Sequence, residues 1–264
     1  MKPKSLILAN GSSIIHLESC TSTMDEARAR AQNAAPHLTT VWAETQTAGR
    51  GRQGRVWQSR PGCGLYFTVI ARIDLEPEHY GLLPLLVGVL LCSSVRDLTG
   101  VRASLKWPND LLAADGRKLA GILVERDAKS GSFLIGVGLN VRVQAFDLPK
   151  KNLPSHLPSH LPGASLEEFC EPVDRMALLL GFMARLGEAL PMLENRPEHT
   201  LGLWRAHDNM LGRPVEITQA DGSGFGGTAL EITNTGALLV QTQTGVREVS
   251  SGEVSLRLGS NTTA

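Results

Sequence analysis

The sequence predicts an α+β fold: a mixed, mostly antiparallel sheet flanked by helices, with a small β-barrel at the C-terminal end. Strand-like runs outnumber helix-like runs and follow one another in hairpin-like succession. This pattern favours such a sheet over a doubly wound parallel sheet. After Leu211 the chain changes to short apolar runs separated by Gly, Asp and Asn, as in small barrels. We therefore divide the chain near residues 209–212 into a large domain, 1–210, and a small one, 211–264.

The strands of the large domain are predicted from short runs rich in β-branched, aromatic and other apolar side chains. These runs lie at Ser13–Leu17, Thr39–Ala43, Leu65–Ile73, Ala103–Trp107, Leu119–Arg126 and Phe133–Val143. Glycines inside the last run, Gly136 and Gly138, indicate a bulge, a packing contact or the close approach of a ligand.

Two helices are predicted between these strands. The first begins at Thr23, which we expect to cap it, with Glu26 completing a capping box three residues on. The second covers Gly81–Leu98 and contains Pro84. Its apolar part is shorter than the ~20 residues that a membrane span needs. We therefore expect a buried core helix and no membrane association.

A long amphipathic helix is predicted over Asp174–Leu193, before the small domain. The segment 153–162 that precedes it is a short repeat with a proline at every fourth residue, which forbids a regular helix and predicts a loop. His156 and His160 have the spacing of a metal pair, but without a helix to align them we expect no metal there. The strands expected in the small domain are Pro214–Thr218, Gly226–Ile232, Ala237–Thr242 and Val246–Val249.

Composition and charge narrow the function. The chain has 264 residues, 42% of them hydrophobic, with 26 Lys plus Arg against 26 Asp plus Glu. A net charge of zero provides no global field that would attract nucleic acid, so we expect no nucleic-acid partner. The 4 cysteines are scattered without a CxxC pair, and the N-terminus does not resemble a secretory signal. These features predict a cytoplasmic location.

The strongest functional motif is the loop Gly49–Arg55, which contains three glycines and three arginines. Glycines let successive backbone N–H groups point at one anion, and the forked donors of arginine suit carboxylate and phosphate oxygens. The alternative interpretation is a solvated basic turn. The motif therefore indicates an anion site only if other residues support it.

The same loop also matches two better-known patterns. It fits the dinucleotide fingerprint GxGxxG and, with Val56, the glycine-rich loop of protein kinases. The first requires a helix directly after the third glycine, and residues 55–62 do not predict one. The second requires Asp-Phe-Gly and His-Arg-Asp motifs, which the sequence lacks. Both interpretations are therefore set aside.

Two further segments carry charged and amide groups at strand ends. In Lys106–Asp110 a lysine is followed by Trp107 and Pro108, then by an amide and a carboxylate. This order suits an ammonium on a phosphate and oxygens beside Mg²⁺, although a strand ending in a turn is the alternative. The strand Lys118–Glu125 opens with a cation directly after Arg117, for which a solvated strand entry is the alternative.

In this order and spacing the motifs resemble the catalytic domain of biotin protein ligases, which has a class II synthetase-like fold. The resemblance is dense over residues 13–143. It resumes over 204–257, which is similar to the SH3-like C-terminal barrel of that family. The segments that carry it are Ser22-Thr23, Gln46 with Ala48–Arg55, Lys106–Asp110, Lys118–Glu125, Gly136–Asn140 and Gly252–Arg257.

The resemblance implies a role for each matching residue. It implies biotin binding by Ser22, Thr23, Gln46, Arg50, Gly51, Arg52, Lys118, Gly121 and Gly138. It implies contacts to ATP or the adenylate by Arg50, Arg52, Lys106, Asn109, Lys118 and Asn140. The implied catalytic cations are Lys118, Arg50, Arg52 and Lys106, and the implied Mg²⁺ ligands are Asn109 and Asp110.

The implied activity is ATP-dependent formation of biotinyl-5′-AMP and transfer of biotin to a lysine of a biotin carboxyl carrier protein of acetyl-CoA carboxylase. Mg²⁺ is the implied cofactor, ATP and biotin the implied substrates, and a homodimer is left open. A lipoate protein ligase is the alternative enzyme, but the polar set Ser22, Thr23 and Gln46 suits biotin better. A biotin-responsive DNA-binding repressor is disfavoured, since roughly 20 residues before Ser22 are too few for a helix-turn-helix domain.

Overall fold

The computed structural model describes residues 4–7, 11–142, 163–219, 223–250 and 254–258. Its larger part is built on an eight-stranded sheet in the order β1-β2-β3-β4-β8-β7-β6-β5. Only β2 and β3 pair in parallel, and every other neighbouring pair in this sheet is antiparallel. The predicted mixed, mostly antiparallel sheet is therefore confirmed. The strands are β1 Lys4–Ile7, β2 Ser13–Cys20, β3 Thr40–Gln46, β4 Gly64–Ala71, β5 Ser104–Lys106, β6 Asp110–Leu112, β7 Lys118–Arg126 and β8 Phe133–Asn140.

Helices cover both faces of this sheet. They are α1 Thr23–Gln32, α2 Leu82–Thr99, α3 Arg175–Asn195 and α4 Glu198–Arg205. Strand β4 is buried at all its positions because its side chains alternate between two clusters. Ile70 packs with Met24 and Ala27 of α1, whereas Phe67 lies edge-on to Phe182 of α3 at 5.4 Å. The protein is thus a sheet between α1 on one side and α2 and α3 on the other.

Two helices, α2 and α3, are long and apolar enough to cross a membrane by length and composition alone. Helix α2 is buried along most of its length, against strands of the sheet and against α3 and α4. Helix α3 buries one face, and Arg185 on it pairs with Asp97. The burial of α2 inside the protein confirms the predicted core helix.

The start of α1 differs from the prediction. Ser22, not Thr23, caps the helix, because its Oγ accepts the backbone N–H of Met24 at 3.3 Å. Thr23 is the first helical residue, and Glu26 pairs with Arg30 instead of closing a capping box. The predicted Thr23–Glu26 box is therefore wrong. Thr23 does not cap the helix because its hydroxyl bonds to Gln46, away from the helix end.

The second sheet, the C-terminal β-domain, consists of five antiparallel strands in the order β12-β11-β10-β9-β13. Its core contains Val215, Ile217, Ala229, Leu238 and Val240. The four predicted strands are confirmed, and β13 is additional. In the part of this domain that the structure describes, no ladder joins the edge strands β12 and β13. The strands are β9 Pro214–Gln219, β10 Gly224–Ile232, β11 Leu238–Thr242, β12 Gly245–Val249 and β13 Val254–Leu258.

The predicted loop at 153–162 lies outside the described residues, and so do its two histidines. Within the described ranges, no group of three or more His, Cys, Asp or Glu side chains is placed to hold a metal ion.

Candidate active site

A cavity of about 490 Å³ opens where the N-terminus of α1, the loop after β3 and the strands β5 to β8 meet. Residues that are far apart in the sequence line it together. The sequence-predicted residues around it are Ser22, Thr23, Gln46, Arg50, Gly51, Arg52, Lys106, Asn109, Asp110, Lys118, Gly121 and Gly138. The motifs found separately in the sequence thus form one site.

Asn140 is the predicted site residue that does not line this cavity. Its side chain is buried, and its amide nitrogen donates to the backbone carbonyls of Ala164 at 3.0 Å and Lys118 at 3.5 Å. Asn140 therefore holds the start of β7, which carries Lys118, instead of facing the cavity. The contact with ATP that the resemblance implies for Asn140 stays a prediction.

The charge around the cavity is strongly asymmetric. In the part of the chain that the structure describes, its charged lining consists of five cations and one carboxylate, although the whole chain is neutral. The cations are Arg50, Arg52, Arg55, Lys106 and Lys118, and the carboxylate is Asp110. Because half-buried walls screen charge poorly, such a cavity attracts anions.

Asp110 lies among these cations. Its carboxylate is 2.5 Å from Lys118 Nζ and 3.7 Å from Lys106 Nζ. Burial alone would raise the pKa of Asp110, but Lys118, Lys106 and Arg52 together hold it below its ordinary value. The carboxylate therefore stays ionised at neutral pH and orients the two ammonium groups that a substrate anion would meet.

Arg52 joins the loop after β3 to the β5–β6 hairpin. Its Nη1 donates to Asn109 Oδ1 at 3.0 Å, and the Asn109 amide nitrogen donates in turn to the Ile122 carbonyl at 2.8 Å. Arg52 Nη2 is buried and has no hydrogen-bond partner among the described residues. Desolvation lowers the pKa of Arg52. A buried donor without a partner is costly, so this nitrogen is suited to an incoming anion.

Arg50 is held on the other side of the loop, where its Nη2 lies 2.6 Å from Asp25 Oδ1 of α1. Backbone bonds shape the loop itself: Gly51 N–H donates to the Arg55 carbonyl at 2.7 Å, and Trp57 N–H to Gly49 at 2.9 Å. The described loop has internal hydrogen bonds and two side-chain anchors of its own.

A chain of hydrogen bonds fixes the polar end of the cavity. Thr68, fully buried on β4, donates to Thr23 Oγ1 at 2.9 Å, and Thr23 donates to Gln46 Oε1 at 3.1 Å. The Thr23 backbone N–H also donates to Gln46 Oε1 at 2.8 Å. Because both of these hydrogen bonds go to the amide oxygen of Gln46, its amide nitrogen is left to donate to a ligand. Ser22 accepts the helix N–H and keeps its hydroxyl proton for donation.

Trp57 forms a wall that the sequence did not identify. Gly121 and Gly138 are directly paired across β7 and β8, and a Cβ on them would come within 2.9 Å and 2.3 Å of the Trp57 ring. Its Nε1 is buried without a hydrogen-bond partner in the described part of the chain. Lys118 Nζ lies 5.6 Å from the centre of the ring. The two glycines thus admit an indole, which agrees with the close approach that glycines inside a strand predict.

The remaining lining is apolar. Met24 Sδ would be 2.7 Å from a Cβ on Gly136, and Phe67 and Leu123 complete this side. The glycine pattern of β8 indicated a close neighbour, but nothing in the sequence identified Met24 as that neighbour. The cavity therefore combines an apolar surface, a donor-rich end and a cationic region.

Comparison with known protein families gives two matches. Residues 16–141 match the biotin/lipoate A/B protein ligase family, and residues 210–257 match the biotin protein ligase C terminal domain. The first range contains the residues that line the cavity, and the second contains β9 to β12. Both parts of the chain therefore point to one kind of protein.

Individual proteins that are similar to this chain support the same assignment. The bifunctional ligase/repressor BirA of Bacillus spizizenii is 33% identical over 255 residues, covering 93% of this chain and 74% of its own length. The biotin--[acetyl-CoA-carboxylase] ligase of Mycobacterium tuberculosis is 32% identical over 80% of this chain and 76% of its own. The biotin protein ligase of Aquifex aeolicus, solved with biotin and ATP, has a TM-score of 0.75 and 28% identity, covering 93% and 99%. This chain belongs to the biotin protein ligases, within the biotin/lipoate A/B protein ligase family.

Proposed function

We propose that this protein activates biotin with ATP and transfers it to a lysine of a carrier protein. The observation that carries the proposal is one cavity that joins a donor-rich end, Ser22 with Gln46, to a cationic region around Asp110. Biotin is a polar bicycle on an apolar chain that ends in a carboxylate, and ATP is a polyanion. A single cavity with these surfaces suits the two substrates side by side.

The ureido end of biotin fits the donor-rich end. Its carbonyl oxygen needs donors, which the Ser22 hydroxyl and the Gln46 amide nitrogen supply. The apolar ring and valeryl chain would lie along Met24, Phe67 and Trp57. This orientation directs the biotin carboxylate toward Lys118.

In the first half-reaction a biotin carboxylate oxygen attacks the α-phosphorus of ATP, and pyrophosphate leaves. The two reactants are anions that repel each other, so the protein must supply opposite charge and hold them in place. Lys106, Lys118 and Arg52 supply that charge in a half-buried site, where it acts more strongly than in water. Asp110 orients the two lysines.

Mg²⁺ is part of the proposal as a partner of ATP. Among the described residues that line the cavity, Asp110 is the only carboxylate, and the adjacent Asn109 offers an amide oxygen. One or two protein oxygens completed by phosphates and water is the usual way Mg²⁺ binds at nucleotide sites, so these residues fit the ion. When bound, Mg²⁺ would neutralise charge on the phosphates.

In the second half-reaction the carrier lysine, as the free amine, attacks the acyl carbon of biotinyl-5′-AMP, AMP leaves, and an amide forms. The mixed anhydride must be kept from water until then. We infer that the loop Gly49–Arg55, which lines the cavity, covers the anhydride, and that Arg50 and Arg52 contact its anionic part. By the names of its relatives, the carrier is the biotin-accepting protein of acetyl-CoA carboxylase.

The direct test mixes the protein with ATP, Mg²⁺ and radiolabelled biotin and separates the products. Biotinyl-5′-AMP should form without carrier, and label should pass to the carrier when it is added. Absence of the adenylate would contradict the proposed function. A location in the cytoplasm and the lack of DNA binding remain predictions from the sequence, checked by fractionation and gel-shift measurements. The homodimer, which the sequence leaves open, is checked by sedimentation.

Thr68→Val is expected to weaken biotin binding about 5- to 15-fold, because one lost buried hydrogen bond is worth about 1–1.5 kcal/mol. Valine keeps the shape but removes the donor to Thr23, so the orientation of Gln46 is no longer fixed. The KM for ATP should not change. The measurement is calorimetric titration with biotin alone.

Thr40→Val is the matched control. Thr40 is also fully buried, on β3, and its hydroxyl donates to the Leu38 carbonyl at 3.1 Å, outside the cavity. It should lose stability without losing biotin affinity. Equal effects of the two variants on the biotin Kd would show that general destabilisation, and not the hydrogen-bond chain, is responsible.

Trypsin should cut after Arg50 and Arg55 several-fold more slowly when biotin and ATP are both present. Both arginines lie on the loop beside the cavity, and Arg50 is 40% exposed. A bound adenylate adds an anion between side chains that otherwise repel one another, so the loop opens less often. Lys129, exposed in the turn between β7 and β8, is the control site, and its cleavage should not depend on ligand. Equal cleavage of the loop with and without ligands would mean that the site is preformed.

A further inference from the structure

Strand β3 extends further than the strand that pairs with it on one side. Its ladder with β4 ends where Ala43 lies opposite Tyr66, but β3 continues to Gln46. On the β2 side the next residue, Thr47, donates its N–H to the Cys20 carbonyl at 2.9 Å. Because backbone N–H groups alternate between the two edges of a strand, the N–H of Gln46 points toward the β4 side, beyond the end of the ladder. It therefore needs a partner from elsewhere in the chain.

The hydroxyl of Ser59 is the partner of this backbone, and it serves two groups at once. Gln46 N–H donates to Ser59 Oγ at 2.6 Å, and the hydroxyl donates to the Gln46 carbonyl at 3.0 Å. A hydroxyl can do both because it has one donor proton and two acceptor lone pairs. Ser59 is half-buried and is not one of the described residues that line the cavity. Its hydroxyl thus replaces the missing strand at the one residue that carries the Gln46 side chain.

The segment that carries Ser59 is fixed on both sides of it. Two residues earlier, Trp57 N–H donates to the Gly49 carbonyl at 2.9 Å and closes the base of the glycine-arginine loop. Three residues later, Gly62 N–H donates to Glu44 Oε2 at 3.1 Å, and Glu44 belongs to β3. These two bonds hold the segment along the end of β3. The Ser59 hydroxyl therefore has a defined position relative to the strand.

The direction of the Gln46 amide depends on where its backbone lies. The amide oxygen is held from α1, by the backbone N–H of Thr23 at 2.8 Å and the Thr23 hydroxyl at 3.1 Å. The amide nitrogen passes close to the loop, since a Cβ on Gly49 would come within 3.1 Å of it. With the oxygen fixed on one side, a shift of the Gln46 backbone would turn the nitrogen away from its place in the cavity.

We propose that Ser59 is a positioning residue for biotin. Its hydroxyl fixes the backbone of Gln46, so that the Gln46 amide nitrogen meets the ureido carbonyl of biotin. The cations proposed to meet ATP, Lys106 and Lys118, lie on β5 and β7 and take no part in this contact. Loss of the hydroxyl should therefore weaken biotin binding while the use of ATP is kept. The inference rests on the proposed function.

The test compares Ser59→Ala with the wild-type protein. The readouts are the Kd for biotin without ATP, by calorimetric titration, the KM for ATP in biotinyl-5′-AMP formation, and the Tm. We expect the biotin Kd to rise about tenfold, because one substitution removes two hydrogen bonds from the backbone of Gln46. The KM for ATP should stay within about threefold of wild type, since the bond from Trp57 to Gly49 still closes the loop.

Ser130→Ala is the matched control. The Ser130 hydroxyl also donates one hydrogen bond and accepts another, to Asp127 Oδ2 at 2.7 Å and from Ser132 N–H at 3.3 Å. Like Ser59 it is half-buried, but it lies in the turn between β7 and β8. The control should lower the Tm by a comparable amount and keep the biotin Kd within about twofold of wild type.

A double-mutant cycle with Gln46→Ala tests whether the effect passes through Gln46. In that background the amide is absent, so adding Ser59→Ala should raise the biotin Kd by less than about twofold. A further tenfold rise would show that Ser59 acts by another route and would overturn the inference. An unchanged biotin Kd in Ser59→Ala would overturn it too, and so would an equal rise in Ser130→Ala.

Wild-type protein in the same assays keeps the two proposals apart. If wild type neither binds biotin nor forms the adenylate, the proposed function fails and this inference with it. If wild type is active and Ser59→Ala binds biotin as Ser130→Ala does, only the positioning role of Ser59 fails.

Discussion

Lys118→Ala is expected to slow biotinyl-5′-AMP formation by about 30- to 1,000-fold while the fold survives. The ammonium would contact the mixed anhydride as its charge develops, and a charged donor of this kind is worth about 2–4 kcal/mol. A second effect has the same sign. Without Lys118 the Asp110 carboxylate loses its partner at 2.5 Å and repels the phosphates of ATP. Single-turnover adenylation measures the loss, and circular dichroism checks the fold.

Two further variants make the result specific. Lys129→Ala removes an exposed lysine in the turn beyond β7 and should stay within about twofold of wild type, as surface substitutions usually do. Asp110→Asn alone should also slow the reaction, because it removes the carboxylate that orients Lys106 and Lys118 and that is proposed to bind Mg²⁺. Near wild-type adenylation by Lys118→Ala would refute the assigned role of this lysine.

The sequence predicted those parts of the fold and site in which the pattern is local. The buried run of β4 and the apolar helix α2 lie within a few residues of their predicted bounds, since burial on both sides needs a continuous apolar segment. The motif residues converge on one cavity because strand ends and loops meet at one edge of the sheet. Periodicity and motif spacing were sufficient for these features.

What the sequence did not predict depends on distant partners. Strand β6 begins at Asp110, within a segment whose sequence suggests a turn, and its pairing with β5 and β7 makes it a strand. Thr68 looks like any polar residue in a buried strand until Thr23 is placed beside it. Trp57 becomes a cavity wall only because the glycines of two other strands leave room for its ring.

In the first turn of α1, a hydrogen bond to a distant residue replaces the local capping box. By sequence Thr23 and Glu26 have the spacing of a capping box, but Thr23 bonds to Gln46 and Ser22 takes over the cap. The cap therefore moves by one residue: the Ser22 oxygen accepts the helix N–H, and the Thr23 hydroxyl bonds to Gln46. Asn140 is another residue whose partners are distant in the sequence, since its amide nitrogen donates to the carbonyls of Lys118 and Ala164.

Lipoate should be a poor substrate, with kcat/KM at least about 30-fold below that for biotin. The dithiolane ring has no carbonyl oxygen, so the Ser22 hydroxyl and the Gln46 amide nitrogen would lose their proposed acceptor. Two unpaired donors at about 1–3 kcal/mol each correspond to a total of about 2–6 kcal/mol, or roughly 30- to 20,000-fold. The measurement is the rate of adenylate formation with each acid at several concentrations.

The polar groups, and not the size of the cavity, should set this preference. Desthiobiotin keeps the ureido carbonyl but lacks the sulfur ring, so it should react within about tenfold of biotin, since lost apolar contact costs about 1–3 kcal/mol at most. Gln46→Met should lower the rate with biotin far more than the rate with lipoate, because methionine removes the amide donor and adds apolar surface.

Comparable kcat/KM values for lipoate and biotin in the wild-type protein would overturn the assignment of biotin as the substrate. Preference for biotin that survives in Gln46→Met would instead move the selecting contact to Ser22, whose hydroxyl is then the remaining donor.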